Sequence, residues 1–186
     1  MNISHGEAIP AAPVQRILAA AMFAAEKHAA QKRKGAAAEP YVNHLIEVAQ
    51  LIAGSSERLD TDLVMAGFLH DTIEDTGTTA EELERAFGSD VSTLVVEVTD
   101  DKTLPKEVRK ALQVSEAPHK SVRAQVIKLA DKISNLRSLL ASPPAAWSTE
   151  RKREYFAWAQ RVVGALSEPN PVLKAEFDRT CAKFKG

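Results

Sequence analysis

VSTLVVEVT, residues 91–99, is the stretch on which the fold turns. Its valines and threonines are β-branched, and by propensity alone it reads as a strand. A strand must pair its backbone N–H and C=O groups with a neighbour. No second strand-like run occurs elsewhere in the chain, so residues 91–99 are expected to be helical, and the chain with them all-α.

Working outward from this segment, Gly88 marks a stop and Thr78 or Thr79 a start, since both Thr78-x-x-Glu81 and Thr79-x-x-Glu82 match a capping box. Further back, a helix is expected over about residues 60–75, with Leu63, Ala66, Gly67, Leu69 and His70 toward the interior. Another runs over about 41–53. A first covers about 14–31, where Val14, Ile17, Leu18, Ala21, Met22 and Ala25 recur at helical spacing. Residues 32–40 form a basic connection ending at Pro40. Toward the C-terminus, a helix follows Pro105, a long one covers about 121–140 and ends before Pro143-Pro144, and two more cover about 148–166 and 171–184. The expectation is a helical bundle of about eight or nine helices, with residues 1–12 as a flexible tail.

A chain of 186 residues suffices for one domain and is too short for two ordinary ones. Apolar residues make up 45 %, charged residues 26 %, and the formal net charge is −1. Such a balance gives no global field toward nucleic acid or membrane, so an anionic ligand needs local positive partners. No basic stripe with interleaved aromatics appears, and nucleic-acid binding is not expected. No run approaches the ~20 apolar residues that span a bilayer. The apolar run 17–25 continues in helical pattern into Lys27 and His28 and is read as the first helix, not a targeting segment. Cys181 is the one cysteine. It permits no disulfide framework and no cysteine-based zinc site, and it fits a reducing, cytoplasmic setting. Oligomeric state has no signature here.

Chemistry concentrates in three places: His44, the run His70-Asp71-Thr72-Ile73-Glu74-Asp75, and Asp131 within Leu129-Ala130-Asp131-Lys132. Asp71 and Asp131 are set among apolar residues, where a bare carboxylate is costly. A divalent cation compensates all of these groups at once. Two imidazoles and two carboxylates suit manganese or iron best and allow zinc, whereas two nitrogens argue against calcium. Consecutive helical residues point about 100° apart, so His70 and Asp71 reach one ion only near a helix end or from an ion lying between their directions. Glu74, four residues after His70 and three after Asp71, faces the same way and is placed to orient or deprotonate a metal-activated water. Asp75, four residues after Asp71, is placed to assist it or to handle a leaving-group proton.

The order His44, His70-Asp71, Asp131 resembles the H…HD…D signature of the HD-domain phosphohydrolases. Arg33-Lys34, Pro40-Tyr41-Val42-Asn43-His44, residues 70–75, Val98-Thr99-Asp100-Asp101-Lys102, Leu129-Ala130-Asp131-Lys132 and Asn135-Leu136 resemble, more closely, the hydrolase domain of the RelA/SpoT family. The small alarmone hydrolases of the metazoan SpoT homologue type are the nearest in pattern, over about residues 14–180. The resemblance implies an HD-type phosphohydrolase domain over 13–186 that removes the 3′-pyrophosphate of (p)ppGpp or (p)ppApp. It implies manganese on His44, His70, Asp71 and Asp131, and Glu74 and Asp75 as the catalytic pair. It further implies Arg33 on the base, Lys34 on phosphate, Asn135 on ribose, and Tyr41 and Ser138 beside the nucleoside. Lys102, Lys106 and Arg151 are added as candidates to neutralise pyrophosphate. The alternatives are the same site acting on another phosphoester, such as the 2′-phosphate of NADPH, and a catalytically silent nucleotide-binding module.

Overall fold

Ten α-helices follow one another through residues 13–185, which the computed structural model describes: α1 (Pro13–Lys27), α2 (Val42–Ala53), α3 (Thr61–Leu69), α4 (Thr72–Thr76), α5 (Ala80–Phe87), α6 (Ser89–Val98), α7 (Lys106–Ser115), α8 (Val122–Ala141), α9 (Thr149–Gly164) and α10 (Pro171–Ala182). A single 3-10 turn, Ala117–His119, separates α7 from α8. Among the described residues there is no strand; one isolated bridge joins Lys32 to Pro40 and closes the loop between α1 and α2. The expected flexible tail over 1–12 lies outside the described residues.

Residues 91–98 are helical, with Thr99 as the extended cap, for a reason visible in their burial. Val91, Leu94, Val95 and Val98 are buried while Thr93 and Val96 face out, which is the i, i+3, i+4, i+7 pattern of a helix and not the alternation of a strand. Of the two candidate caps before α5, Thr79 does the work: its hydroxyl accepts from Glu82 N at 3.2 Å. Thr78 is buried and pairs with the Thr76 hydroxyl instead.

The expected helix over 60–75 needs correction, because it is two helices. Asp60 caps α3 through Leu63 N, and α3 ends at Leu69. His70 is its C-terminal cap, and Asp71, at φ −100° and ψ −1°, breaks the helical path before α4 resumes. Thr72 Oγ1 donates to Leu69 O at 2.6 Å and satisfies a carbonyl left open at the end of α3. This interruption adds the tenth helix.

The core is built around α3, in which every residue from Leu63 to Leu69 is buried. A helix buried on all sides needs neighbours all round it, and α1, α2, α6 and α8 supply them. Gly67 sets the closeness of α2: a Cβ there would lie 2.5 Å from Ile52 Cδ1 and 3.5 Å from Ala49 Cα. Against both α2 and α3 lies α8, which carries twelve buried residues and is backed by α10. The joint between α3 and α4 thus opens into the space flanked by α2 and α8.

Candidate metal centre

His44 comes from the first turn of α2, His70 and Asp71 from the α3–α4 joint, and Asp131 from the middle of α8. His44 Nε2 lies 3.6 Å from Asp71 Oδ2 and 3.4 Å from Asp131 Oδ1. His70 Nε2 lies 3.1 Å from Asp71 Oδ2 and 3.9 Å from Asp131 Oδ1. Ligand atoms of His44, His70 and Asp131 fall within 4.8 Å of one another. The broken helix explains how adjacent residues serve one point: His70 still belongs to α3, while Asp71 starts the next segment.

Both imidazoles are buried, and neither Nε2 atom has a hydrogen-bond partner. The other nitrogens are occupied. His70 Nδ1 is 2.9 Å from Gly67 O, which can only accept, so Nδ1 carries a hydrogen and Nε2 is the nitrogen left to exchange its proton for a cation. His44 Nδ1 lies 2.8 Å from Ser134 Oγ. Buried nitrogens left unpaired among carboxylates are a costly arrangement without a cation, and the donor set of imidazole and carboxylate suits a divalent one.

The electrostatics point the same way. Burial alone would lower His70, but Asp71 and Asp131 outweigh it and raise the imidazole to about 9. Burial alone would raise both carboxyls. His70 and His44 instead hold Asp71 well below the usual range, and Lys132 with His44 and His70 does the same for Asp131. Positive charge is therefore favoured at the place where the two imidazoles meet.

Around this point stand the other residues expected at the site. Tyr41 donates to Asp71 Oδ2 at 2.5 Å, and burial together with Asp71 raises its phenol, so it remains a donor. The Arg33 guanidinium lies 5.7 Å from the Tyr41 ring centre. Asn135 Nδ2 donates to Asp131 Oδ1 at 2.5 Å. Glu74 accepts from Asp100 N at 3.3 Å, and burial, then Asp71 and Asp100, raise its carboxyl. Asp75 accepts from Gln31 Nε2 at 2.7 Å and from the Lys102 ammonium. Four residues are not drawn into this network. Lys34 and Lys106 are exposed and pair with no carboxylate among the described residues. The Arg151 guanidinium lies 4.4 Å from the Trp147 ring centre. Ser138 is half-buried, and its carbonyl accepts from Ser142 N.

Several residues to which the motifs assign no role make contacts here. Lys132 is 3 % exposed, with its ammonium 2.9 Å from Asp131 Oδ2 and 4.6 Å from the Trp158 ring centre. Lys128 reaches Asp100 at 3.3 Å, and Arg109 lies 3.7 Å from Glu74. Gln31, aligned by His28 at 2.5 Å, holds Asp75. For the two lysines the available signal was spacing: Lys128, Asp131, Lys132 and Asn135 recur at three and four residues and share one face of α8.

A model of the HD domain matches residues 20–160. Guanosine-3′,5′-bis(diphosphate) 3′-pyrophosphohydrolase MESH1 of Xenopus tropicalis is 51 % identical over 162 residues, covering 87 % of this chain and 90 % of that protein. MESH1 of Homo sapiens is 50 % identical over 159 residues, covering 86 % and 89 %. Among solved structures, a metazoan orthologue of SpoT that hydrolyses ppGpp superimposes with a TM-score of 0.87 at 41 % identity, covering 95 % of this chain and 98 % of that one.

Proposed function

Because the chain belongs to the HD domain family, we propose that it hydrolyses the 3′-pyrophosphate of an alarmone nucleotide such as ppGpp, releasing pyrophosphate from the nucleoside 5′-diphosphate. One observation carries the reading: two buried imidazole nitrogens without hydrogen-bond partners converge with carboxylates on one point, in a chain about half identical to pyrophosphohydrolases of that specificity. His44, His70, Asp71 and Asp131 would hold a divalent ion there, and manganese is the ion proposed, being suited to mixed nitrogen and oxygen donors with positions left for water. When bound, such an ion polarises a phosphoryl oxygen and acidifies a water.

The chain's own residues supply the rest. Glu74 accepts the proton of the attacking water, and its raised carboxyl makes it a better base than an exposed glutamate. Asp75, gripped by Gln31 and Lys102, completes the pair and keeps the Lys102 ammonium over the reacting phosphates. Tyr41 donates to Asp71 and fixes that carboxylate's orientation. Arg33, already against the Tyr41 ring, stacks on the base, and Lys34 meets phosphate. Asn135 and Ser138, one turn apart on α8, face the ribose side. Lys106 at the start of α7 and Arg151 near the start of α9 neutralise pyrophosphate as it leaves.

The test is pyrophosphate release from ppGpp and ppApp, each with manganese and with chelator. Manganese-dependent release from either is expected, and the ratio of the two rates reports base preference. Protein that holds manganese and releases nothing from either substrate overturns the reading.

A further inference from the structure

We infer that Ser134 and Glu47, neither of which belongs to the ligand cluster, are positioning residues that set which nitrogen of His44 is free for metal; the inference rests on the metal reading above. Ser134 is 1 % exposed in the middle of α8. Helical Thr76 and Thr180 donate to the carbonyl four residues back. Ser134 instead reaches across to α2, where its hydroxyl donates to Glu47 Oε2 at 2.7 Å.

The direction of that bond decides the next one. The other oxygen of Glu47 accepts from Arg137 Nη1 at 2.8 Å, so both oxygens of this carboxylate act as acceptors. Ser134 has one hydrogen and gives it to Glu47. Toward His44 Nδ1, at 2.8 Å, it can then only accept, so Nδ1 carries the hydrogen and Nε2 the lone pair. A neutral imidazole has one N–H, and the partner on one nitrogen fixes the state of the other. For His70 the partner is the Gly67 carbonyl, which no side-chain substitution removes. For His44 the partner is a side chain whose own orientation depends on a second one.

The chain of bonds is also a mechanical stitch. His44 and Glu47 on α2, and Asp131, Ser134 and Arg137 on α8, each recur three residues apart and so present the two helices with matched faces. Arg137 continues outward to Glu176 of α10 at 2.5 Å, anchoring the line at its outer end.

The experiment is manganese titration of the full chain, read by the electron paramagnetic resonance signal of free Mn²⁺, for wild type, Ser134→Ala, the isosteric Glu47→Gln and the double variant. Loss of such a partner weakens metal binding by about 10- to 100-fold. Each single variant is expected to show that loss, and the double variant no more than Ser134→Ala alone, because both act through one line of bonds. Glu47 is half-exposed, so Glu47→Gln remains a soluble test if Ser134→Ala does not fold. Wild type that binds manganese while neither variant weakens it, or losses that add in the double variant, overturns the inference and leaves the metal reading standing. Wild type that binds no manganese overturns both.

Discussion

Replacing Lys132 by methionine removes one buried charge, and with it the ammonium that lies over the Trp158 ring, and leaves most of the buried stem. Its ammonium is 2.9 Å from Asp131 Oδ2, and the two side chains are 4 % and 13 % exposed. Breaking a buried ion pair from one side costs about 3–5 kcal/mol, because the remaining charge is uncompensated. Asp131 keeps the Asn135 amide and its imidazole neighbours, so the lower end, about 3 kcal/mol, is the expectation. At this chain length that corresponds to a melting temperature lower by about 6–12 °C. The fall should appear in full with chelator and shrink by at least half with saturating manganese, since a bound cation replaces the lost charge beside Asp131. Thermal unfolding of Lys132→Met and wild type, each in both conditions, measures it. An equal fall in both conditions refutes the reasoning and assigns the lysine to packing alone. A fall below about 2 °C in chelator shows that the pair carries no such energy.

Glu74→Gln should bind manganese like wild type while turnover drops by about 10²–10⁴, the usual contribution of a general base; unchanged turnover assigns the proton to another group. In chelator, stability should decline as pH rises. His70 stands at about 9 in the folded chain against about 6.5 unfolded, so its contribution is whole below about 6.5 and is lost by about 9, roughly 3 kcal/mol in all; a flat melting temperature over that window contradicts the charge balance described. At Gly35 a Cβ would sit 2.2 Å from Ser142 O, a backbone atom, so Gly35→Ala must move the loop bearing Arg33 and Lys34 by about 1 Å. It should lower kcat/KM by about 10- to 100-fold with manganese affinity unchanged; wild-type kinetics would show that the loop does not position substrate.

The sequence carried the fold where burial is one-sided and periodic. Residues 91–99 are the clearest case, because their buried valines and leucine repeat at helical spacing although their propensity is that of a strand. The histidines and aspartates were legible as a group because each sits against apolar neighbours, and such residues need a common partner. The break at His70 and Asp71 was not legible: α3 is apolar on every face, so no change of periodicity marks its end. Ser134, Glu47 and Lys132 escaped for a different reason. Serine, glutamate and lysine on a helix are usually solvated, and only the packing of α2, α8 and α9 turns these three inward. His28 and Gln31 read as the tail of α1, and their aim at Asp75 depends on how the chain turns after Lys27.

His44 and Ser134 lie 90 residues apart in the chain yet touch. During synthesis, everything through α7 emerges before the segment that carries Asp131 and Ser134. Until then the α2 side chains and the α3–α4 joint have no fourth wall, and closing so long a loop is slow compared with forming the helices themselves. The contacts that create the cation site thus wait for α8 and precede only those that α9 and α10 add. Ion capture can report on the docking of α8, and free ion in the medium should draw that docking forward by mass action.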